Sequence, residues 1–276
     1  MGPGPPHNDH FDYLAPPSLA RAHARLGWDA CTVASNHAVD EGGAGLASTI
    51  GALNRVGLRH TGTNLTRRAS RRTLILPVAG VRLALLSYTE DTNRLPMPEP
   101  FSVNLIDRAE ILADVRRARR AGADAVVIHL HDTGDFVRPV PAYERALVER
   151  LTRIDAVAAV VGQGAHIVRP IRFIHGKPVV WGSGDLLSSH PGRRGTGIIA
   201  ELVLRAEGGR VSAVKARYVP LHIRARDSAV VAIGRALERG QADTAALRAK
   251  YRRIVARVGR SHRVEPVPAR IDGRRG

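Results

Sequence analysis

Short apolar segments alternate with amphipathic helical segments along most of this chain, and this alternation constrains the fold more than any other sequence feature. One helix is predicted to begin at Asp107, where Glu110 completes a capping box. Apolar runs of strand length predict strands at 73–79, 81–88, 125–130 and 157–161. Strands that alternate with helices are typical of α/β domains. The sequence therefore predicts an α/β fold with a mixed sheet.

Polar side chains that can bind a metal or a phosphate follow four predicted strands, those at 30–34, 125–130, 157–161 and 178–181. They are Asn36 and His37, then His131 and Asp135, then Gln163 and His166, and finally Asp185. Ligands of open α/β sheets bind beyond the carboxyl ends of the strands. We therefore expect these imidazoles, amides and carboxylates to converge on one edge, where they suit a divalent cation or a phosphate group.

The formal net charge of +17 comes almost entirely from arginine, because only 3 of the 42 basic residues are lysines. The arginines are spread over helix faces, so most of them are expected on a solvated surface. Aromatic residues make up 4% of the chain, and no helix-turn-helix, zinc-finger or base-stacking pattern is present. Nucleic acid is therefore not a predicted partner. The single Cys31 excludes disulfides within the chain and thiolate metal sites.

The domain boundaries follow from composition at the two ends. Residues 1–10 are expected to be a disordered start, residues 11–257 a single domain, and residues 258–276 a basic flexible tail that does not pack on the core. The sequence has no apolar run of about 18 residues, which predicts no transmembrane segment. It also begins without the basic and apolar regions of a signal peptide, so the sequence as it stands predicts a cytoplasmic protein.

Four segments resemble successive blocks of the bacterial capsule-synthesis family, also known as the CapA or poly-gamma-glutamate synthesis family. The segments are GWDACTVASNHAVDEGGAGL, LSYTEDTNRLP, VVIHLHDTGDF and VVGQGAHIVRPIRFIHGKPVVWGSGD. They occur in the family's order, and the similarity extends over about residues 11–190. Several blocks in order are more specific than any single motif.

The resemblance implies a calcineurin-like metallophosphoesterase fold, a two-sheet α/β/β/α sandwich with a divalent metal site of manganese, zinc or iron. It implies that Asn36 binds metal and phosphate, that His37 lies near the leaving group as a catalytic residue, and that His131 and His166 are metal ligands. The implied partners are an anionic polymer or a phosphate-containing substrate and a capsule-synthesis membrane complex.

The sequence departs from the family pattern at several site positions. Gln163 stands where the family has a histidine, and an amide oxygen is a weaker ligand for a transition metal than an imidazole. Asp135 replaces a glutamate and Asp185 replaces an asparagine, so both are further candidate ligands. The family's opening strand, which ends in a Gly-Asp pair, has no counterpart in this sequence. On this pattern the metal site is expected to be incomplete.

Two explanations for the absence of the family's opening strand remain open. In the first, the true start codon lies upstream; the upstream DNA then encodes the strand and an export signal, and the protein is exported or membrane-anchored. In the second, this is a truncated homologue that has lost catalysis. Three function classes remain: a metal-dependent hydrolase of phosphate esters or related bonds, a non-catalytic component of cell-surface polymer export, and a basic module that binds anionic polymer.

Overall fold

The computed structural model describes residues 13–131, 139–187, 195–240 and 244–269. The chain divides into two compact units, Met1–Thr133 and Gly134–Gly276, where the sequence predicted one domain over 11–257. The predicted disordered start at 1–10 lies outside the described residues. The candidate ligand Asp135 also lies outside them.

The first unit is built from short helices and strands that alternate along the chain. Its described elements are α1 (Ser18–Arg25), β1 (Ala30–Thr32), α2 (Gly42–Arg55), β2 (Arg59–Thr61), α3 (Arg67–Ser70), β3 (Leu74–Val78), β4 (Val81–Thr89), α4 (Arg108–Arg120) and β5 (Ala125–His131). The strands predicted at 73–79, 81–88 and 125–130 are confirmed as β3, β4 and β5. The sequence analysis missed β2 and α3 because three or four residues are too short to show a periodicity.

Pairing within the first unit brings strand ends together. Strands β1 and β2 are parallel, and Cys31 lies opposite His60. Strands β3 and β4 form an antiparallel hairpin, while β4 and β5 run parallel with Thr89 opposite His131. Helix α4 begins as predicted, because the Asp107 side chain accepts a hydrogen bond of 2.9 Å from the backbone N–H of Glu110. The segments that follow β4 and β5 therefore leave the sheet at the same edge.

The second unit carries the remaining helices and strands. Its described elements are α5 (Ala142–Leu151), β6 (Val157–Gln163), β7 (Ile171–Ile174), β8 (Lys177–Val180), β9 (Thr196–Glu207), β10 (Arg210–Ile223), β11 (Val230–Ala232), α6 (Ile233–Glu238), α7 (Thr244–Val258) and β12 (Val264–Pro266). Strand β8 pairs in parallel with β6 and antiparallel with β7. Strand β10 pairs antiparallel with β9 and β11 and in parallel with β12. The mixed α/β class predicted from the sequence is confirmed.

The prediction of a flexible tail from residue 258 is wrong for residues 258–269. Val258 is fully buried in the core of the second unit, together with Ile254 and Val264. Strand β12 extends the sheet beside β10, and the backbone N–H of Val267 donates a 2.7 Å hydrogen bond to the carbonyl of Tyr218. The composition of the segment suggested disorder, but three residues with alternate buried side chains suffice to add an edge strand.

None of the helices in the described ranges combines the length and the apolar character that crossing a bilayer requires.

Candidate functional site

The loop after β1 carries the first group of predicted site residues. The start of this loop is fixed by a close approach between its backbone and the backbone at the end of β2. Gly62, at the end of β2, has a φ of +112°, and a Cβ atom there would lie 2.5 Å from the backbone nitrogen of Ala34. Only glycine tolerates both the backbone angle and the contact. The chain is thus held against β2 just before it reaches Asn36 and His37.

His37 is held by a buried carboxylate that the sequence analysis did not single out. The His37 Nδ1 atom lies 2.8 Å from Asp40 Oδ2, and the Asp40 side chain is only 2% exposed. The same carboxylate oxygen accepts a 2.7 Å hydrogen bond from the backbone N–H of Tyr13, whose ring packs edge-on against the imidazole. A carboxylate at Nδ1 fixes the imidazole tautomer and leaves Nε2 for a substrate or a cation.

Asn36 joins this loop to the end of β5. Its Oδ1 atom lies 3.0 Å from His131 Nε2, and its Nδ2 atom donates a 3.0 Å hydrogen bond to Asn93 Oδ1. Asn93 Nδ2 lies 3.3 Å from His37 Nδ1, so Asn93 contacts both Asn36 and His37. We call Asn36, His37, Asp40, Asn93 and His131 the Asn36–His37 cluster.

A second histidine lies on β5, two residues before His131. Burial, with a smaller contribution from the neighbouring His131, lowers the pKa of His129 to about 3. The Nδ1 atom of His129 is 3.2 Å from the Ser87 hydroxyl. His129 is therefore a neutral, buried side chain at physiological pH, which adds no positive charge beside the cluster.

The second unit contains its own group of predicted site residues. His166 Nδ1 lies 2.9 Å from Asp185 Oδ1, and the Asp185 side chain is largely buried. Gln163 Nε2 donates a 3.0 Å hydrogen bond to the carbonyl of Gly184, the residue before Asp185. A Cβ atom on Gly197 would lie 2.2 Å from the Asp185 carbonyl oxygen, so this segment requires glycine at its close crossing with β9.

The donors of the Asn36–His37 cluster suit a divalent cation. An amide oxygen and an imidazole nitrogen 3.0 Å apart have about the separation of two adjacent ligands with bonds near 2.1 Å. Asp40 Oδ1 is a buried carboxylate oxygen with no hydrogen-bond partner in the part of the chain that the structure describes. Across those same residues, no three His, Cys, Asp or Glu side chains converge. The side-chain donors therefore fit a cation that is bound by Asn36 and His131 and has few other ligands from the protein.

The structure thus brings Asn36, His37 and His131 together, and within the second unit it brings His166 and Asp185 into contact with Gln163 nearby. Sequence reasoning missed Asp40 and Asn93. Asn93 follows β4, so the rule that ligands gather at strand ends could have identified it. Asp40 gave no comparable signal, because a carboxylate three residues after a histidine in a loop is common.

Comparison with solved structures defines the class of fold. The calcineurin-like phosphoesterase YfkN from Bacillus subtilis has a TM-score of 0.51 and 16% identity, covering 85% of this chain and 75% of its own. A 5'-nucleotidase precursor from Thermus thermophilus has a TM-score of 0.50 and 16% identity, covering 87% of this chain and 45% of its own. The chain therefore has the calcineurin-like phosphoesterase fold that its sequence motifs implied.

Residues 1–190 match the family of the bacterial capsule synthesis protein PGA_cap, and the chain belongs to that family. Two Mycobacterium tuberculosis proteins, from strains CDC 1551 and H37Rv, are named as probable polyglutamine synthesis accessory proteins. Each is 27% identical over 180 residues, covering 59% of this chain and 46% of the relative. This chain thus spans about half the length of the curated relatives it matches.

Proposed function

We propose that this chain acts in the synthesis of a capsule or poly-gamma-glutamate polymer at the cell surface, and that the Asn36–His37 cluster hydrolyses a phosphate ester or a related bond. Membership of the capsule-synthesis family supports the biological role. The single observation that supports hydrolysis is the His37–Asp40 pair, whose 2.8 Å contact prepares an imidazole for proton transfer next to the Asn36 amide.

In this proposal each residue of the cluster has a separate role in the reaction. A divalent cation, when bound, supplies a positive charge that activates water and neutralises the phosphoryl oxygens. Asn36 and His131 would hold a cation in the first unit. Within the second unit, Gln163 and His166 are themselves proposed as metal ligands. His37 donates a proton to the leaving oxygen as the ester bond breaks and water supplies the new oxygen. Asp40 holds the imidazole in the orientation that this transfer needs.

The proposed metal is manganese, zinc or iron, because imidazole and amide donors suit these cations. The proposed substrate is an anionic polymer or another phosphate-containing molecule, and a capsule-synthesis membrane complex is the proposed assembly. Asp185 is proposed to orient His166 through their 2.9 Å contact, as carboxylates commonly orient metal-binding histidines.

Hydrolysis of an aryl phosphate with added manganese tests the proposal. We expect the wild-type rate to exceed that of His37→Ala by about 100-fold or more, the usual contribution of a general acid. Asp40→Asn should lower the rate by about 10- to 100-fold, because it weakens the support of the imidazole. Asp29→Asn is the matched control, since Asp29 is 82% exposed, and it should retain the wild-type rate. Equal rates for wild type and His37→Ala would exclude catalysis by this cluster and favour a non-catalytic, polymer-binding role.

A further inference from the structure

The first unit contains a cavity that the proposed hydrolase does not use. It has a volume of about 360 Å³ and lies among residues of α2, β2, α3, β3 and α4. None of its described lining residues belongs to the Asn36–His37 cluster. Its volume falls in the range of about 300–1,000 Å³ that is typical of small-molecule sites.

Arginine side chains give this cavity a positive lining. They are Arg59, Arg72 and Arg117. Arg117 forms an ion pair with Asp114, and Arg59 is 3.8 Å from the exposed carboxylate of Asp29. The guanidinium of Arg72 forms no hydrogen bond or ion pair with any residue in the described ranges. Because arginine stays charged and carries five N–H donors, Arg72 offers a fork that matches an oxyanion.

The His60 side chain also lines the cavity. His60 Nδ1 is buried and makes no hydrogen bond within the described part of the chain. Burial lowers the pKa of His60. Because burial favours the neutral imidazole, His60 adds little positive charge to the lining of the cavity.

Two asparagines on the wall of the cavity are held in fixed orientations. Asn64 Nδ2 donates hydrogen bonds of 3.0 Å to the carbonyl of Phe101 and of 3.0 Å to Asn104 Oδ1. Asn104 Nδ2 in turn donates a 3.3 Å hydrogen bond to the carbonyl of Ser87. These bonds use the amide nitrogen of Asn64 and leave its carbonyl oxygen as an acceptor. The cavity thus combines cationic donors with a rigid polar wall, which reduces the entropy cost of binding.

We propose that this cavity binds a small molecule with an oxyanion group, which Arg72 contacts directly and Arg59 attracts through its charge. The group is either the carboxylate of an amino acid or short peptide, or a phosphate. The Asp114 carboxylate, which also lines the cavity, is already engaged by the Tyr88 hydroxyl at 2.9 Å and by Arg117 rather than by Arg72.

Calorimetric titration with L-glutamate and with inorganic phosphate tests the proposal and separates the two sources of the anion. We expect one of these probes to bind, and we expect Arg72→Gln to weaken its binding by about tenfold or more. Arg68→Gln is the matched control, because Arg68 is an exposed neighbour that does not line this cavity, and its loss changes the net charge equally. Since Arg72 is also exposed, both variants should fold, which circular dichroism verifies.

Equal weakening by the two substitutions would overturn the proposal, because it would show only a diffuse effect of charge. Failure of both probes to bind at millimolar concentration would also overturn it. Imidazole ¹H–¹⁵N spectra locate the ligand independently of hydrolase activity. A shift of the His60 resonance with His37 unchanged supports the cavity, whereas a shift of His37 alone would place the anion at the Asn36–His37 cluster and contradict the proposal.

Discussion

Two histidines of the candidate sites have the same kind of support. His37 and His166 each direct Nδ1 at a mostly buried aspartate, at 2.8 Å from Asp40 and 2.9 Å from Asp185. In both cases the contact at Nδ1 restricts rotation of the ring. Such a carboxylate–imidazole pair is the usual support of a metal-binding or proton-transferring histidine. The repetition of this pair in both units favours a chemical role for each imidazole.

Gln163 stands where the family has a histidine, so a single substitution to histidine restores the family pattern at this position. We predict that Gln163→His tightens manganese or zinc binding by about tenfold or more, because imidazole is the better donor and Asp185 already orients the nearby His166. Calorimetric titration of metal into the wild type and the variant measures the change. The same titration on Gln163→His combined with His166→Ala should lose the gain. Equal affinities for wild type and Gln163→His would contradict a functional metal site at this position.

At the scale of secondary-structure elements, a buried ion pair joins α5 to the segment that carries His166. The Arg169 and Glu144 side chains are 1% and 4% exposed, and Arg169 Nη1 lies 3.4 Å from Glu144 Oε2. The backbone N–H of Arg169 also donates a 3.0 Å hydrogen bond to the carbonyl of Gly182. These contacts fix the chain three residues beyond His166, so α5 contributes to the placement of that imidazole.

Removing the carboxylate of this pair should be far more costly than removing an exposed one from the same helix. We predict that Glu144→Ala lowers the free energy of unfolding by about 3–5 kcal/mol, because it removes a buried carboxylate that lies 3.4 Å from a buried guanidinium. Glu149→Ala is the control, since Glu149 is 48% exposed and its contacts, with His175 at 3.4 Å and Arg153 at 4.0 Å, are partly exposed to solvent. It should cost less than about 1 kcal/mol. Urea denaturation of both variants measures the difference, and similar midpoints would show that the buried pair is not a significant stabilising contact.

At the scale of the whole molecule, the segment after α7 closes the second unit. Besides the pairing of β12, the Tyr251 hydroxyl donates a 2.5 Å hydrogen bond to the Pro268 carbonyl. The Arg263 guanidinium lies 3.6 Å from the centre of the Phe173 ring. Charge alone suggested a solvated tail, yet part of that charge covers an aromatic side chain. The segment therefore belongs to the folded structure as far as residue 269.

Truncation should reveal this contribution. We predict that deleting residues 259–276 lowers Tm by about 5–15 °C, because it removes an edge strand and the buried Val264. Deleting only residues 270–276 removes three arginines but none of these contacts, and it should leave Tm within about 2 °C of the full chain. Differential scanning calorimetry distinguishes the two. A 259–276 deletion that melts like the full chain would show that β12 adds little to stability.

Sequence periodicity and the family motifs determined a large part of this protein. Apolar runs located β3, β4 and β5, the Asp107 cap located the start of α4, and the motifs identified Asn36 and His37. These features are encoded within a few neighbouring residues, so local sequence suffices to predict them.

Only the tertiary structure decided which distant residues meet. Asn93 lies 56 positions from His37 along the chain, and β12 pairs with a strand whose partner residue is 48 positions away. The composition also predicted that arginines are exposed, yet Arg169 is buried because Glu144 on α5 compensates its charge. The role of Asp40 also depends on tertiary contacts, because Tyr13 and His37 pack around its carboxylate. Such contacts depend on close packing between segments, which no local periodicity records.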